Sequence, residues 1–521
     1  MNKWLFLAFL ALYLLTASGR IDSGDGHVMF QVTDSIMRGE GFAISPALPE
    51  QDLLGPHGER IPHETIYGSG AGAFGVDGRY YAQYGPGQSF AAIPFYLLGR
   101  VMHVILPVWS EEFWTRTSVT LLNVIVTALT VVLMAEMARL FFDAKTALTL
   151  AVIFGLATPA WPYSRSFFNE PLAGGLMLLG GYAAMCARRD ARMMWYVLSG
   201  AAFGAAAFVR PTALLVVPPA MVYLFLACRP NKWKWCVWGG TLAIPLVFLL
   251  VYNWVRFGNP LTTGYGPGVR WDLPPWIGAY GLLFGPGKGL VWFAPVIVLG
   301  VVALPAFIRR SAAEGWFIVG VAGLFLAGHS AYNFWHGGGG WGPRLILPVV
   351  AWLILPMGVI LQRKRHSAWQ DLALAVVLAA SVVVQVLGTS VNYARHLQVV
   401  YNASRSSEEY FQRVQFHWAD SPIVGQVREL QAVTSNVRRA ETLAELRDMV
   451  ARTVTAPISE DRFYDAQAEA VGLLSFNVPD YWFVYGWFLG VPIWVMAVIM
   501  AALVCMIVIS TGRLRTVPDP V

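Results

Sequence analysis

Charge is sparse in this chain. Asp, Glu, Lys and Arg make up 13% of its 521 residues while apolar side chains make up 56%, a balance that excludes a soluble globular enzyme and leaves a polytopic membrane protein. Cysteine is scarcer still. The four present, Cys186, Cys228, Cys236 and Cys505, all lie in apolar runs or in the short connections between them, so no disulfide is implied. His329 and His336 lack Cys, Asp or Glu at ligand spacing, which argues against a zinc site. G-A-G-A-F-G at 70–75 has no strand before it and no helix after it, and G-P-G-K-G at 285–289 lacks the spacing and the Ser or Thr of a Walker loop. Neither implies a nucleotide. There is no fixed-period repeat and no low-complexity tract.

What is abundant is the apolar run. Runs recur at 4–18, 119–141, 146–162, 172–187, 194–209, 212–227, 236–255, 290–308, 315–332, 345–361, 369–390 and 481–510, each near or somewhat below the roughly 20 residues a bilayer requires. The expectation is an all-α membrane protein of about twelve spans. Placing Met1-Asn2-Lys3 inside gathers Arg139 with Lys145, Arg188-Arg189, Arg192, Arg229 through Lys234, Arg309-Arg310, Arg363-Lys364-Arg365 and Arg513 with Arg515 on the inner side. Both termini are then cytoplasmic, in the cytoplasmic (inner) membrane, and two long polar loops, 19–116 and 391–480, face outward. The net charge of +6 is explained by these inner clusters and gives no reason to invoke nucleic acid. The first segment also resembles a secretory signal, ending in Ala17-Ser18-Gly19; an uncleaved anchor agrees better with the charge pattern.

The exceptions to that pattern carry the chemistry. Asp25, in I-D-S-G-D-G-H, stands just beyond the first run, where it either caps the first turn of a helix or serves as a base on an acceptor hydroxyl. Gln88 to about Leu106 reads as amphipathic helix lying along the outer surface. Arg165 and Glu170 flank the outward turn R-S-F-F-N-E-P, and Glu170 is either a helix-start charge or part of a cleft. Arg210 lies at another outward turn, F-V-R-P-T, where capping or snorkelling would suffice. Lys288, flanked by glycines, leads into a helix start, a place that favours an anion. In H-G-G-G-G-W-G-P-R-L four glycines let backbone approach something closely, and Arg344 follows at a helix start. It can fork onto a phosphate or pair with a local carboxylate. Tyr84, His336 and Trp341 are read as further cleft residues. In the second loop, 441–452 reads as an amphipathic helix.

One acid and several cations on a single face suggest an anionic donor carried on a lipid, its phosphate held by cations as it leaves. With so good a leaving group one base suffices, and Asp25 would deprotonate the acceptor that attacks from the opposite face.

These pieces, S-G-D-G-H with M-R-G-E-G, D-G-R-Y-Y-A-Q-Y-G-P-G-Q, R-S-F-F-N-E-P, F-V-R-P-T, F-G-N-P-L-T-T-G-Y, G-L-L-F-G-P-G-K-G-L and G-G-W-G-P-R-L-I-L-P, resemble the GT-C superfamily of polytopic glycosyltransferases. The likeness is to bacterial relatives of protein O-mannosyltransferases and of aminoarabinose transferase, over residues 20–360. The resemblance implies a GT-C-type catalytic module at 1–390, an outward (periplasmic) loop subdomain at 391–480, and a last helix with its tail at 481–521. It implies a polyprenyl-phosphate-linked sugar donor, an envelope glycan, lipid or protein as acceptor, and Asp25 as the catalytic carboxylate. Gly26 follows where the family commonly has a second acid, which weakens any divalent-metal requirement; no cofactor is called for. The family's lysine ahead of the proline in Tyr84-Gly85-Pro86 is also missing, so donor phosphate binding would fall to Lys288, Arg344 or Arg165. The alternatives are a ligase or polymerase of lipid-linked glycans, or a transporter or flippase for them. A transporter would want ionisable groups at mid-membrane, whereas here they sit at the rim.

Overall fold

A computed structural model describes residues 2–44, 72–229, 231–265, 269–363, 367–440 and 474–515, with fragments at 53–54, 60–61, 445 and 471–472. The chain is an all-α, multi-pass membrane protein. Among the described residues seven helices are long and apolar enough to cross a bilayer: Glu111–Arg139, Pro211–Cys228, Lys232–Phe257, Ala312–Ser330, Arg344–Leu361, Ala368–Ser390 and Ile493–Leu514. Three shorter apolar helices, Asn2–Leu15, Ala144–Ala157 and Met193–Val209, with Glu170–Asp190 and Val296–Arg310, occupy the remaining runs read from the sequence.

Several of those runs are shorter helices than expected, and proline or glycine is the reason. The run at 146–162 stops at Ala157, and Thr158-Pro159 starts a separate turn, Ala160–Ser164. Pro295 divides Leu290–Phe293 from Val296–Arg310. Gly490, at φ 85°, and Pro492 separate Trp482–Phe488 from the last helix, Ile493–Arg515. The spans also differ in where they sit. Arg344–Leu361 has 78% of its apolar window buried and Ile493–Leu514 has 11%. The first is therefore central and the second peripheral.

The first long loop is built on helix Gly24–Arg38. Ser23 caps its start by accepting from the Gly26 N–H at 3.0 Å, and Gly39, at φ 77°, closes its end. A small antiparallel sheet follows, with Tyr80–Ala82 between Ala43–Ile44 and Gly72–Phe74. The 70–75 glycine motif is thus partly a strand of this sheet. Helix Gly87–Ile105 comes next, burying Gln88, Ala92 and Tyr96 on one face and exposing Leu97, Val101, Val104 and Ile105 on the other. Its amphipathic character, expected from the sequence, is that of one helix interrupted by neither Pro94 nor Arg100.

The second loop contributes helices Tyr393–Asn402, Ser407–Phe416 and Pro422–Arg439, whose starts are capped by Asn392, Ser406 and Ser421. The amphipathic helix expected at 441–452 lies outside the described residues. This loop is fastened to the bundle at Asp480, which accepts from Arg20 Nε and Nη2 at 3.0 Å each and from Arg165 at 2.7 Å. The Asp480 N–H in turn donates to Ser390 O at 3.0 Å.

Candidate active site

Asp25 lies in the first turn of helix Gly24–Arg38, but Ser23 supplies the cap. The carboxylate is free to point elsewhere, and it takes Arg344 Nη1 at 2.6 Å. The Asp25 side chain keeps 28% of its surface exposed while that of Arg344 keeps 9%. Capping by Asp25, the bland reading, is therefore replaced by a long-range ion pair. Gly26 also has a local reason. A Cβ there would stand 2.7 Å from Ile21 Cγ2 and 3.0 Å from Ser23 Oγ, so a second acid at this position would dislodge the cap that orients Asp25.

Arg344 opens a 3-10 turn, Arg344–Val349, that leads into the most enclosed span. Its guanidinium lies 4.6 Å from the Phe168 ring centroid and reaches Glu170 Oε1 at 3.8 Å. Its Nε has no hydrogen-bond partner among the described residues. Glu170, which starts helix Glu170–Asp190 ahead of Pro171, is 1% exposed and accepts Arg210 Nη1 at 2.6 Å. The same Nη1 also donates to Asn169 Oδ1 at 3.1 Å, and Arg210 Nε donates to Thr212 Oγ1 at 3.0 Å. Two carboxylates and two guanidiniums thus alternate along one chain, Asp25, Arg344, Glu170, Arg210. Arg188 and Arg189 end the helix that Glu170 begins. A helix of that length spans about 30 Å, which puts this cluster at the opposite end of the bundle from that basic connection.

Tyr84 completes the rim of Asp25. Its hydroxyl accepts Gln83 Nε2 at 3.0 Å, and its ring stands edge-on to Tyr265 at 6.4 Å. Burial alone would push the Asp25 carboxyl up. Arg344, the Tyr84 hydroxyl and Arg210 together more than offset it, so the group sits below the usual carboxylate range. Tyr84 shifts the other way, pushed well up by burial and by Asp25.

Two of the cations expected to bind phosphate are committed elsewhere. Lys288 is fully buried, and its Nζ donates to the carbonyls of Gly338, at 2.8 Å, and Gly340, and to the Tyr393 hydroxyl at 3.4 Å. The helix after it, Leu290–Phe293, is one turn long, too short to gather an anion site. The Lys288 nitrogen instead ties down the glycine run, whose carbonyls converge on it. Arg165, 5% exposed, is held by the Asp480 carboxylate and by the carbonyls of Thr389 and Asp480. Of the phosphate-binding set read from the sequence, Arg344 alone stands against Asp25; Arg210 joins it through Glu170. His336 accepts from the Gly338 N–H at 3.1 Å, and burial with Lys288 and Arg344 nearby lowers its ring to about 3. Trp341, 4% exposed, packs edge-on against Phe293 and Tyr393. Neither touches Asp25.

Sequence reasoning passed over Arg20, Asp22 and Asp480. The signal was present: all three are charges immediately beside apolar runs on the loop side. Arg20 and Asp480 meet across 460 positions, however, and spacing does not reveal that. Among the described residues no three His, Cys, Asp or Glu side chains converge as a metal set.

Residues 111–254 match the family model of dolichyl-phosphate-mannose-protein mannosyltransferases. No curated protein matches the sequence. Among solved structures the chain is similar to ArnT from Cupriavidus metallidurans bound to undecaprenyl phosphate, at 14% identity and a TM-score of 0.48, covering 98% of this chain and 77% of that one. It is also similar to the Archaeoglobus fulgidus oligosaccharyltransferase in the apo form, at 10% identity and a TM-score of 0.46, covering 92% of this chain and 64% of that one. The resemblance to GT-C glycosyltransferases read from the loop motifs is thus met by a family signature, running from helix Glu111–Arg139 into helix Lys232–Phe257.

Proposed function

We propose that this chain is an inverting glycosyltransferase, moving a sugar from a polyprenyl-phosphate carrier to a glycan, lipid or protein acceptor of the envelope. The work is done on the outer face of the cytoplasmic membrane, with both termini inside. One observation carries the reading: Asp25, partly open to solvent, is clasped by Arg344 at 2.6 Å at the loop end of the most enclosed span. The family match over 111–254 supplies the class of donor.

The chemistry needs few parts. The acceptor hydroxyl gives its proton to the Asp25 carboxylate as its oxygen forms a bond to the anomeric carbon. The bond from that carbon to the phosphate oxygen breaks on the opposite face, and the electron pair leaves with the phosphate. Charge therefore develops on phosphate oxygens, where a positioned guanidinium stabilises it. Arg344 is suited to this because Nη1 already sets its guanidinium beside the Asp25 carboxylate. One planar fork can then face both the base and the leaving group. Arg210 and Glu170 hold that fork in place from behind.

Purified protein given a synthetic undecaprenyl-phosphate sugar and membrane-derived acceptors tests this. The expected product carries the sugar with its anomeric configuration inverted. Retention of configuration, or release of free phosphorylated carrier without transfer to any acceptor, would contradict it.

A further inference from the structure

Arg256 is a buried charge that the proposed reaction does not use. It stands in the last turn of helix Lys232–Phe257, is 1% exposed, and has no carboxylate partner among the described residues. Burying a guanidinium is costly unless its donors are met. Here Nε donates to Tyr252 O at 3.2 Å, Nη2 to Asn253 Oδ1 at 2.7 Å, and Nη1 to Ala82 O. The Tyr252 and Phe257 ring centroids lie 3.7 and 4.6 Å from it. Of the three acceptors Ala82 O alone lies outside the helix, 174 positions away. An apolar side chain would fill the same space without the cost of burying a charge, so what the guanidinium adds is this bond across to the first loop.

The loop returns the contact. The Val76 N–H donates to Arg256 O at 3.0 Å, and a Cβ on Gly75 would stand 2.4 Å from that same oxygen. The Tyr81 and Phe257 rings meet edge to face at 6.1 Å. The end of the span thus grips the small sheet at its hairpin turn and at the end of strand Tyr80–Ala82. The chain leaving the span comes back to the same place. Asn253 Nδ2 donates to Pro260 O at 3.0 Å, and a Cβ on Gly264 would lie 2.8 Å from Phe257 Cζ and 3.3 Å from Gln83 Cα.

Two tyrosines leave this junction. Tyr84 follows Ala82 by two residues, Tyr265 follows Gly264 directly, and their rings meet edge-on at 6.4 Å. The Tyr84 hydroxyl accepts from Gln83 Nε2 at 3.0 Å. Its own proton is left to donate, and Asp25 is the carboxylate beside it.

We infer that Arg256 is a positioning residue for the candidate base: by holding the Ala82 carbonyl it keeps the Tyr84 hydroxyl against the Asp25 carboxylate. Its consequence for sugar transfer rests on the glycosyltransferase reading above, whereas its consequence for Asp25 does not.

A water-soluble carbodiimide reads Asp25 without any substrate, because it modifies the protonated carboxyl and the Asp25 side chain is 28% exposed. Full-length protein in detergent is labelled between about pH 4 and pH 6, and the peptide carrying Asp25 is quantified by mass spectrometry. In wild type the carboxyl, raised by burial but lowered further by Arg344, Tyr84 and Arg210, sits below its usual range, so labelling is slow. Tyr84→Phe should label about three- to tenfold faster at a given pH. Arg256→Met should do the same, and the double variant should add nothing, since one residue acts through the other. Arg256→Lys keeps the charge and one donor toward Ala82 and should shift labelling the same way by less; it carries the test if the methionine variant does not fold. In transfer assays the acid limb of kcat should move with the labelling while the donor KM stays within about twofold of wild type. Unchanged labelling in Tyr84→Phe or in both Arg256 variants, or effects that multiply in the double variant, would overturn the inference and leave Arg256 a packing residue. Wild-type protein that transfers no sugar, with the labelling pattern as expected, would count against the glycosyltransferase reading alone.

Discussion

Arg344 and Asp25, 319 positions apart in the sequence, meet at 2.6 Å. The pair joins the start of the first loop helix to the start of a central span, and Glu170 and Arg210 extend it into the next two helices. Everything proposed about the reaction depends on this contact, because it places a partly exposed carboxylate directly against a buried guanidinium.

Arg344 and Lys288 are expected to part company under substitution. Arg344→Lys keeps the charge but loses the fork, and should raise the KM for a lipid-phosphate sugar about 10- to 100-fold while the protein remains folded. Lys288→Met leaves the Gly338 and Gly340 carbonyls without their donor, and should lower stability by about 1–3 kcal/mol with little change in donor KM. Kinetics at saturating acceptor, alongside thermal unfolding in detergent, separate the two. A donor KM that rises with Lys288→Met and not with Arg344→Lys would reverse the assignment.

Asp480 holds the second loop against the bundle by accepting from Arg20 and Arg165 together. Asp480→Asn removes the charge and leaves two buried guanidiniums facing a neutral amide. The expected loss is about 3–5 kcal/mol, the range found when one partner of a buried ion pair is deleted. Unfolding measured by tryptophan fluorescence would show it, and a midpoint unchanged from wild type would contradict the role.

Gly26→Ala tests the local design of the first turn. The added methyl would meet Ile21 and the Ser23 hydroxyl, and overpacking of this kind costs about 1–3 kcal/mol. Because the displaced group is the cap that frees Asp25, turnover should fall more than stability does. Equal activity per folded molecule would show that the Asp25 carboxylate finds Arg344 without the cap.

How far the sequence alone led can be judged from these same residues. The helical, multi-pass fold was legible because apolar runs of near-bilayer length leave little choice, and because proline and glycine mark where they break. Asp25, Glu170, Arg210 and Arg344 were legible as charges that defy the basic-side pattern. What the sequence could not show is which charge meets which. Lys288 looked like an anion ligand because glycines flank it and a helix seemed to follow, yet its nitrogen is consumed by carbonyls 50 and 52 positions away. Arg165 looked free at the rim, and its partner Asp480 lies 315 positions on. Ser23, not Asp25, proved to be the cap, a choice made by side-chain direction that local spacing leaves open.

The dependence on pH should separate activity from stability. Asp25 sits below its ordinary value near 4, so its ion pair contributes stability fully above that value and loses it only as pH falls through the lower folded value. Its base form likewise persists to that limit. His27 and His336 are each lowered to about 3, chiefly by burial. The unfolded chain takes up their protons below about 6.5 while the folded chain does not, so stability should decline as pH falls from about 7 toward 4. Turnover per folded molecule should stay flat over the same interval. A titration in turnover near pH 6.5, with flat stability, would contradict both assignments.

The most direct measurement is single-turnover transfer from an undecaprenyl-phosphate sugar by Asp25→Asn protein, compared with wild type at matched folded concentration. The account predicts a rate lower by about 10²- to 10⁴-fold, the usual worth of a positioned base, with binding of the carrier retained. A rate within a few-fold of wild type would contradict it, since no base would then be acting at the position that Arg344 holds.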